Sequence, residues 1–195
     1  MKILLLRHGK TAGNEEHRYV GRTDEELSVL GIRELSAKRE EGRERLPKPE
    51  LVFTSPMKRC VQTARLFFPG AVIQVEERLT ECDFGAFEYK NYRELTGRED
   101  YQAWIDSGGR MDVPGGERMS DFKSRSLAGF LACAGVAEEK GHGVIAFIVH
   151  GGTIMAVMEA LAVPKKDYYS WQVKNLAGYL CRMENGWLEV LDAYD

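Results

Sequence analysis

The stretch Met1–Asn14, MKILLLRHGKTAGN, decides how the rest of the chain is read. Lys2 to Leu6 is a short, largely apolar run that stops abruptly at Arg7, His8 and Gly9. Such a run reads as a buried strand delivering polar side chains at its carboxyl end, where open α/β sheets bind ligands. A neutral imidazole is a good nucleophile toward phosphorus, and a neighbouring guanidinium clamps phosphate oxygens while lowering the imidazole pKa by like-charge repulsion. Arg7 beside His8 therefore suits a phosphate-directed nucleophile. Gly9 lets the backbone turn, and Thr11 and Asn14 offer a hydroxyl and an amide to a phosphate or to the ring. The competing reading is a polar turn after a strand, with His8 an ordinary surface histidine; the three letters RHG alone favour it.

A second stretch repeats the arrangement. VIAFIV at 144–149 is apolar throughout, as a fully buried central strand would be, and it ends in His150, Gly151, Gly152 and Thr153. Ile154, Val157, Met158 and Leu161 follow at i, i+3, i+4 and i+7, so a helix begins just after the glycines and its amino-terminal N–H groups suit an anion.

Between these stretches a charge-dense helix is expected from Ser28 to about Arg45 with Ile32 and Leu35 inward, then a strand over Leu51 to Thr54. Ser55 and Pro56 read as the N-cap and first position of a helix whose inward face is Cys60, Val61, Ala64 and Phe67 or Phe68. Ala71 to Val75 reads as a third strand, and Ser120 to about Ala134 as a helix with Phe122, Phe130 and Leu131 near one face. Tyr179 to Glu184 and Trp187 to Ala193 alternate around Asn185-Gly186, which calls for a type I′ hairpin. The expected fold is a three-layer α/β/α sandwich with a mostly parallel central sheet and an antiparallel C-terminal hairpin. Residues 1–195 are expected to form one domain, with a lid-like insertion at about 89–116 rich in Tyr92, Tyr101 and Trp104 and bounded by glycine-rich loops.

Composition narrows the function classes. The net charge of −3 argues against a general nucleic-acid binder, so any anion site must be a local concentration of Arg and His. No apolar run reaches membrane-spanning length and no cleavable leader opens the chain, which makes a cytoplasmic protein the default expectation. Cys60, Cys82, Cys133 and Cys181 are widely spaced without a CxxC pair, so reduced buried thiols are expected rather than structural zinc or disulfides. His17 and His142 lack supporting neighbours in the sequence and read as surface residues.

Four fixed positions of RHGxT arise by chance in roughly one chain in a thousand of this length, and Asn14 lowers the odds further. The stretch resembles the signature of the histidine phosphatase superfamily, also called phosphoglycerate mutase-like. SPMKRCVQTA at 55–64 is similar to the family's S-P-x-x-R-x-x-Q-T-A motif, which implies that Arg59 is a phosphate ligand and that Ser55, Gln62, Thr63 and Ala64 are structural. Leu79, Glu81, Phe84, Gly85 and Glu88 map onto the family's acid-bearing segment, which makes Glu81 the expected general acid, with Asp83 and Glu88 as rivals. Tyr89 stands where the family often has glycine, and Arg118 where it often has serine. The closing H-G-G-x-I motif implies that His150 and the Gly151 N–H hold the transferring phosphoryl group. Gly21, Asp24 and Leu27 fit the family's loop pattern, and Arg18 and Arg22 could approach the phosphate. Thr11, Gly21, Arg22 and Tyr92 are the expected substrate contacts.

The expectation is a metal- and cofactor-independent phosphomonoesterase acting through a phosphohistidine, on a small phosphorylated metabolite such as α-ribazole 5′-phosphate or a sugar phosphate. Three readings stand beside it: a cofactor-dependent phosphoglycerate mutase, a catalytically silent phospho-ligand binding protein, and a phosphoprotein phosphatase. No nucleic-acid or membrane partner is expected, and monomer and dimer are equally open.

Overall fold

The structure is a computed structural model that describes residues 1–195, apart from the side chains at positions 43 and 44. Its elements run β1 (Lys2–Arg7), α1 (Ala12–Glu15), α2 (Val29–Arg45), β2 (Leu51–Thr54), α3 (Lys58–Phe67), β3 (Val72–Val75), α4 (Tyr92–Leu95), α5 (Glu99–Asp106), α6 (Met119–Glu139), β4 (Val144–Val149), α7 (Gly151–Leu161), β5 (Ala162–Val163), β6 (Gly178–Glu184) and β7 (Trp187–Tyr194). The strands form one sheet in the order β3-β2-β4-β1-β6-β7-β5. β3, β2, β4 and β1 run parallel, whereas β6 is antiparallel to both β1 and β7. Parallel neighbours need covered faces, and strand alternation sorts the core accordingly. Ile3 and Leu5 join Phe53, Phe147 and residues of α6 and α7 on one face; Leu4 and Leu6 join Val52, Ile148, Leu35 of α2 and Cys60, Ala64 and Phe67 of α3 on the other. The expected three-layer sandwich is therefore present.

The hairpin follows its sequence signal. Asn185 and Gly186 both have positive φ, 50° and 80°, as a type I′ turn requires, and Glu184 pairs with Trp187. Tyr194 at the end of β7 is buried and donates its hydroxyl to the Lys38 carbonyl at 2.8 Å, tying the hairpin to α2.

Several local expectations need correction. In α2 Leu35 points inward as expected but Ile32 is exposed, because Gly31 brings the helix backbone against the Lys10 carbonyl and so turns its neighbour outward. In α6, Phe122 and Phe130 are buried but Leu131 is exposed, since eight and nine residues of helix after Phe122 do not share a face equally. Ser55 and Pro56 do not open α3: Met57 is the N-cap, without a side-chain bond, and Ser55 is engaged elsewhere. His142 does have a neighbour, Glu50, at 3.1 Å. The four cysteines are free and buried, as expected.

Two departures from the family pattern acquire physical reasons. Tyr89 has φ of 57°, in the left-handed region that favours glycine, and its hydroxyl donates to Glu25 at 2.7 Å while Arg18 caps its carbonyl at the same distance. Arg118 is the N-cap of α6 with no side-chain bond, and Asp112 supplies the missing acceptor by taking the Met119 N–H at 3.0 Å.

Candidate active site

Strand register builds the centre. Arg7 pairs with Val149 across the β1–β4 ladder, so the next residues, His8 and His150, leave the sheet side by side with ring centroids 5.2 Å apart. β2 ends one position away, where Thr54 pairs with Ile148, and Ser55 beyond it places its hydroxyl 2.8 Å from His150 Nε2. Ser55 thus touches a candidate site residue instead of capping a helix. The Cys60 thiol lies 3.5 Å from the same nitrogen.

His8 is 3% exposed. Its Nδ1 lies 2.7 Å from the Gly9 carbonyl, which can only accept, so Nδ1 carries the proton and the lone pair sits on Nε2. Burial, then the charges of Arg59 and Arg7, holds the ring well below its ordinary pKa, against the opposing bond to Gly9. His150 is depressed likewise, by burial first and then by Arg59, His8 and Arg7. Both imidazoles are neutral at neutral pH.

Arg7 and Arg59 flank the pair. Arg7 Nη1 donates to the Val173 carbonyl at 2.9 Å; Arg59, fully buried, donates to the carbonyls of Thr23 and Gly21, each at 2.8 Å. In both guanidinium groups Nε is buried with no hydrogen-bond partner. A buried charged donor left unpaired costs more than the roughly 1–3 kcal/mol of a neutral one, so each Nε is a donor suited to an anion. Gly151, the first residue of α7, lies against Arg7: a Cβ there would sit 3.6 Å from its Nε. The helix amino terminus adds the Gly151 N–H beside Arg7.

Glu81 closes the opposite side and is 8% exposed. Its carboxylate accepts from the N–H groups of Cys82 at 3.0 Å and Gly152 at 3.1 Å. Burial nevertheless raises its pKa, outweighing those bonds and the charges of Arg59 and Arg7. A cleft of about 460 Å³ opens beside it, lined among others by Arg22, Thr80, Asp83, Glu117 and Arg125. The rival carboxylates are engaged differently: Glu88 accepts from the N–H groups of Gly21, Thr23 and Phe84, and Asp83 takes the Gly85 N–H and pairs with Arg22 at 3.2 Å.

The expected substrate contacts separate. Arg22 lines the cleft with a side chain that is 71% exposed and pairs with Asp83. Thr11 does not reach it: the residue is buried and its hydroxyl caps α1 by accepting the Asn14 N–H, the reciprocal bond running from Thr11 N to Asn14 Oδ1. Gly21 is bound into the loop at both backbone groups, to Glu88 and Arg59, and acts through its carbonyl on Arg59. Tyr92 lies at the exposed start of α4 against Arg93, outside the cleft lining. Arg18 is held by Glu16, Glu94 and the Tyr89 carbonyl, so it is not a free cation for the phosphate. Asn14 keeps its amide nitrogen as the group to offer, its oxygen being taken by Thr11 and by Asn175.

Asn175 and Arg125 were not marked by any motif. Asn175 Nδ2 donates to the His8 carbonyl at 3.0 Å, and the segment before β6 continues along the end of β1 through Arg7–Ala177 and Leu176–Arg7 backbone bonds. Gln62 and Thr63 prove to be supports: Gln62 accepts the Leu27 N–H, and Thr63 accepts the Gly9 N–H at 3.0 Å.

An α/β sheet carrying paired histidines at adjacent parallel strand ends, with two buried guanidinium groups around them, defines a class of phosphate-directed enzyme. The chain belongs to the histidine phosphatase superfamily (branch 1), whose family model matches residues 3–195. It is 30% identical over 164 residues to the metal-independent phosphoserine phosphatase of Arabidopsis thaliana, covering 80% of this chain and 66% of that protein. It is 33% identical over 111 residues to the 2,3-bisphosphoglycerate-dependent phosphoglycerate mutase of Bifidobacterium longum; this covers 53% of the chain and only 45% of the mutase. In fold it superimposes on the α-ribazole phosphatase from Shigella flexneri with a TM-score of 0.84 at 21% identity, covering 100% and 96% of the two chains. Among the described residues no helix is long and apolar enough to cross a membrane.

Proposed function

We propose that the protein is a phosphomonoesterase that hydrolyses small phosphate esters through a phosphohistidine on His8. The observation that carries this reading is the buried neutral His8, its proton pinned on Nδ1, between two guanidinium groups whose Nε atoms lack partners. In the first step His8 Nε2 attacks phosphorus in line and the P–O bond to the alcohol breaks, while Glu81 gives its proton to the departing oxygen. Arg7 and Arg59 balance charge on the remaining phosphate oxygens, to which the neutral His150, Asn14 and the Gly151 N–H donate hydrogen bonds. In the second step a water oxygen attacks phosphorus, the P–N bond breaks, and the water proton passes to the Glu81 carboxylate. The charge balance uses the protein's own cations, so no metal enters either step.

Residues 89–116 are the segment to which we assign leaving-group choice. The Phe87, Leu95, Tyr101 and Val113 cluster anchors this segment, and Tyr19 and Phe84 pack against it from the site's own loops. The names of the relatives bring phosphoserine beside α-ribazole 5′-phosphate and sugar phosphates as substrates to try.

Two experiments decide the reading. Purified wild type and His8→Ala are screened for phosphate release across these esters and 3-phosphoglycerate with a bisphosphoglycerate primer, and acid-quenched protein is searched by mass spectrometry for phosphate on His8. Phosphate release that vanishes in the variant, with the adduct on His8, is expected. Isomerisation of phosphoglycerate without net phosphate release would replace the reading with a mutase.

A further inference from the structure

Arg7, Arg59 and Arg125 border the site, and the last differs from the other two in how it is bonded. Arg7 and Arg59 each keep an Nε without a partner. Arg125, on α6, has an acceptor for each of its five N–H donors. Its Nη1 donates to the Thr80 carbonyl at 2.6 Å and to the Arg78 carbonyl at 2.9 Å. Its Nη2 donates to the Glu81 carbonyl at 3.0 Å and to Glu117 Oε2 at 2.7 Å, and Nε donates to Glu117 Oε1 at 2.6 Å. A guanidinium so fully engaged has no donor left for a phosphate, although it borders the cleft.

Three of those acceptors belong to the segment that ends in Glu81. The segment's backbone is thereby fastened to α6, while the Glu81 carboxylate is fastened to α7 through the Gly152 N–H. The two attachments meet at Phe122: Arg125 lies over its ring at 5.1 Å, and the ring edge is so near Gly152 that a Cβ there would come within 2.9 Å of it. A carboxyl group that must hand a proton to one particular oxygen gains from a backbone that cannot shift, since a displacement of about 1 Å can cost roughly a hundredfold in rate.

We propose that Arg125 is the positioning residue for Glu81: the Arg125–Glu117 pair locks the 78–81 carbonyls so that the Glu81 carboxyl meets the leaving oxygen, without itself touching substrate. The proposal rests on the reading of Glu81 as proton donor. Lysine cannot reproduce the lock, because an ammonium offers three donors from one point instead of five in a planar fork.

The test compares Arg125→Lys, Glu117→Gln and Glu81→Gln with wild type on two esters. One is the alkyl phosphate that wild type hydrolyses fastest, whose leaving oxygen needs a proton. The other is p-nitrophenyl phosphate, whose leaving group departs as a stable anion. Arg125→Lys is expected to lower kcat/KM on the alkyl ester by about tenfold or more and on p-nitrophenyl phosphate by less than about threefold, a general acid being worth roughly 10²–10⁴. Glu117→Gln is expected to show the same selectivity more weakly, and it decides the matter if Arg125→Lys fails to fold by circular dichroism. Equal losses on both esters, or no loss on either, overturn the positioning role. If Glu81→Gln loses selectively on the alkyl ester and neither support variant does, only the positioning role falls. If Glu81→Gln itself shows no selectivity, the acid assignment falls and the positioning role with it.

Discussion

Replacing Gly152 by alanine adds one methyl group where the Glu81 carboxylate lies against α7. The new Cβ would lie 2.4 Å from Glu81 Oε1, 2.9 Å from Phe122 Cζ and 3.1 Å from Phe122 Cε1. Phe122 is fully buried in the core against α7, so it has nowhere to retreat. The carboxylate is the more movable neighbour, and restoring ordinary contact of about 3.4 Å displaces it by about 1 Å. That displacement breaks its bond from the Gly152 N–H and misplaces the proton donor, which predicts a fall of about a hundredfold in kcat/KM on alkyl phosphates. Stability should change far less. Overpacking costs about 1–3 kcal/mol, and alanine returns at most about 1 kcal/mol over glycine in a helix. A net loss of about 0–3 kcal/mol lowers Tm by no more than about 12 °C in a chain of this size. Initial rates with a phosphate-release assay, alongside a calorimetric melt, check both numbers. Near-wild-type turnover in a folded variant would refute the claim that the Glu81–Gly152 contact fixes the acid.

The pH dependence follows from the two depressed and raised groups. Below the ordinary histidine value of 6.5, where His8 is held unprotonated by burial, kcat/KM should persist until the ring finally takes a proton; loss through Glu81 ionisation should begin above the ordinary value of 4.5, since burial raises that carboxyl. On p-nitrophenyl phosphate the alkaline limb should be absent, and a profile corrected for substrate ionisation that keeps it would contradict the acid role. Asp112→Ala removes the acceptor for the Met119 N–H at the start of α6 and should cost about 1 kcal/mol, read as a Tm drop of roughly 2–4 °C with kcat unchanged. Treatment with a chelator should leave turnover intact, whereas loss of activity restored by one added metal would contradict charge balance by Arg7 and Arg59.

The sequence alone carried the parts of the fold whose signal is local. An apolar run ending in His-Gly marks a buried strand that delivers a polar group, twice, and Asn185-Gly186 can adopt the two positive φ values a type I′ turn needs. Those signals identified the strands bearing His8 and His150, and the motif around Arg59 singled out its side chain. What the sequence could not contain was strand order. β1 and β4 are separated by 136 residues of intervening chain (8–143), and only their pairing, with Arg7 opposite Val149, brings the two rings within 5.2 Å. The same holds for donors and acceptors supplied by long-range contacts. Val173 and Asn175 reach Arg7 and His8 because the chain before β6 runs along β1, and Arg125 reaches the Glu81 segment because α6 packs beside it. Conversely, Thr11 and Tyr92 offered suitable chemistry in the sequence, yet a helix cap claims one and the outer surface the other. Local pattern fixes which groups a segment can present; the pairing of distant segments decides which of them face one another, because that depends on a register no single segment encodes.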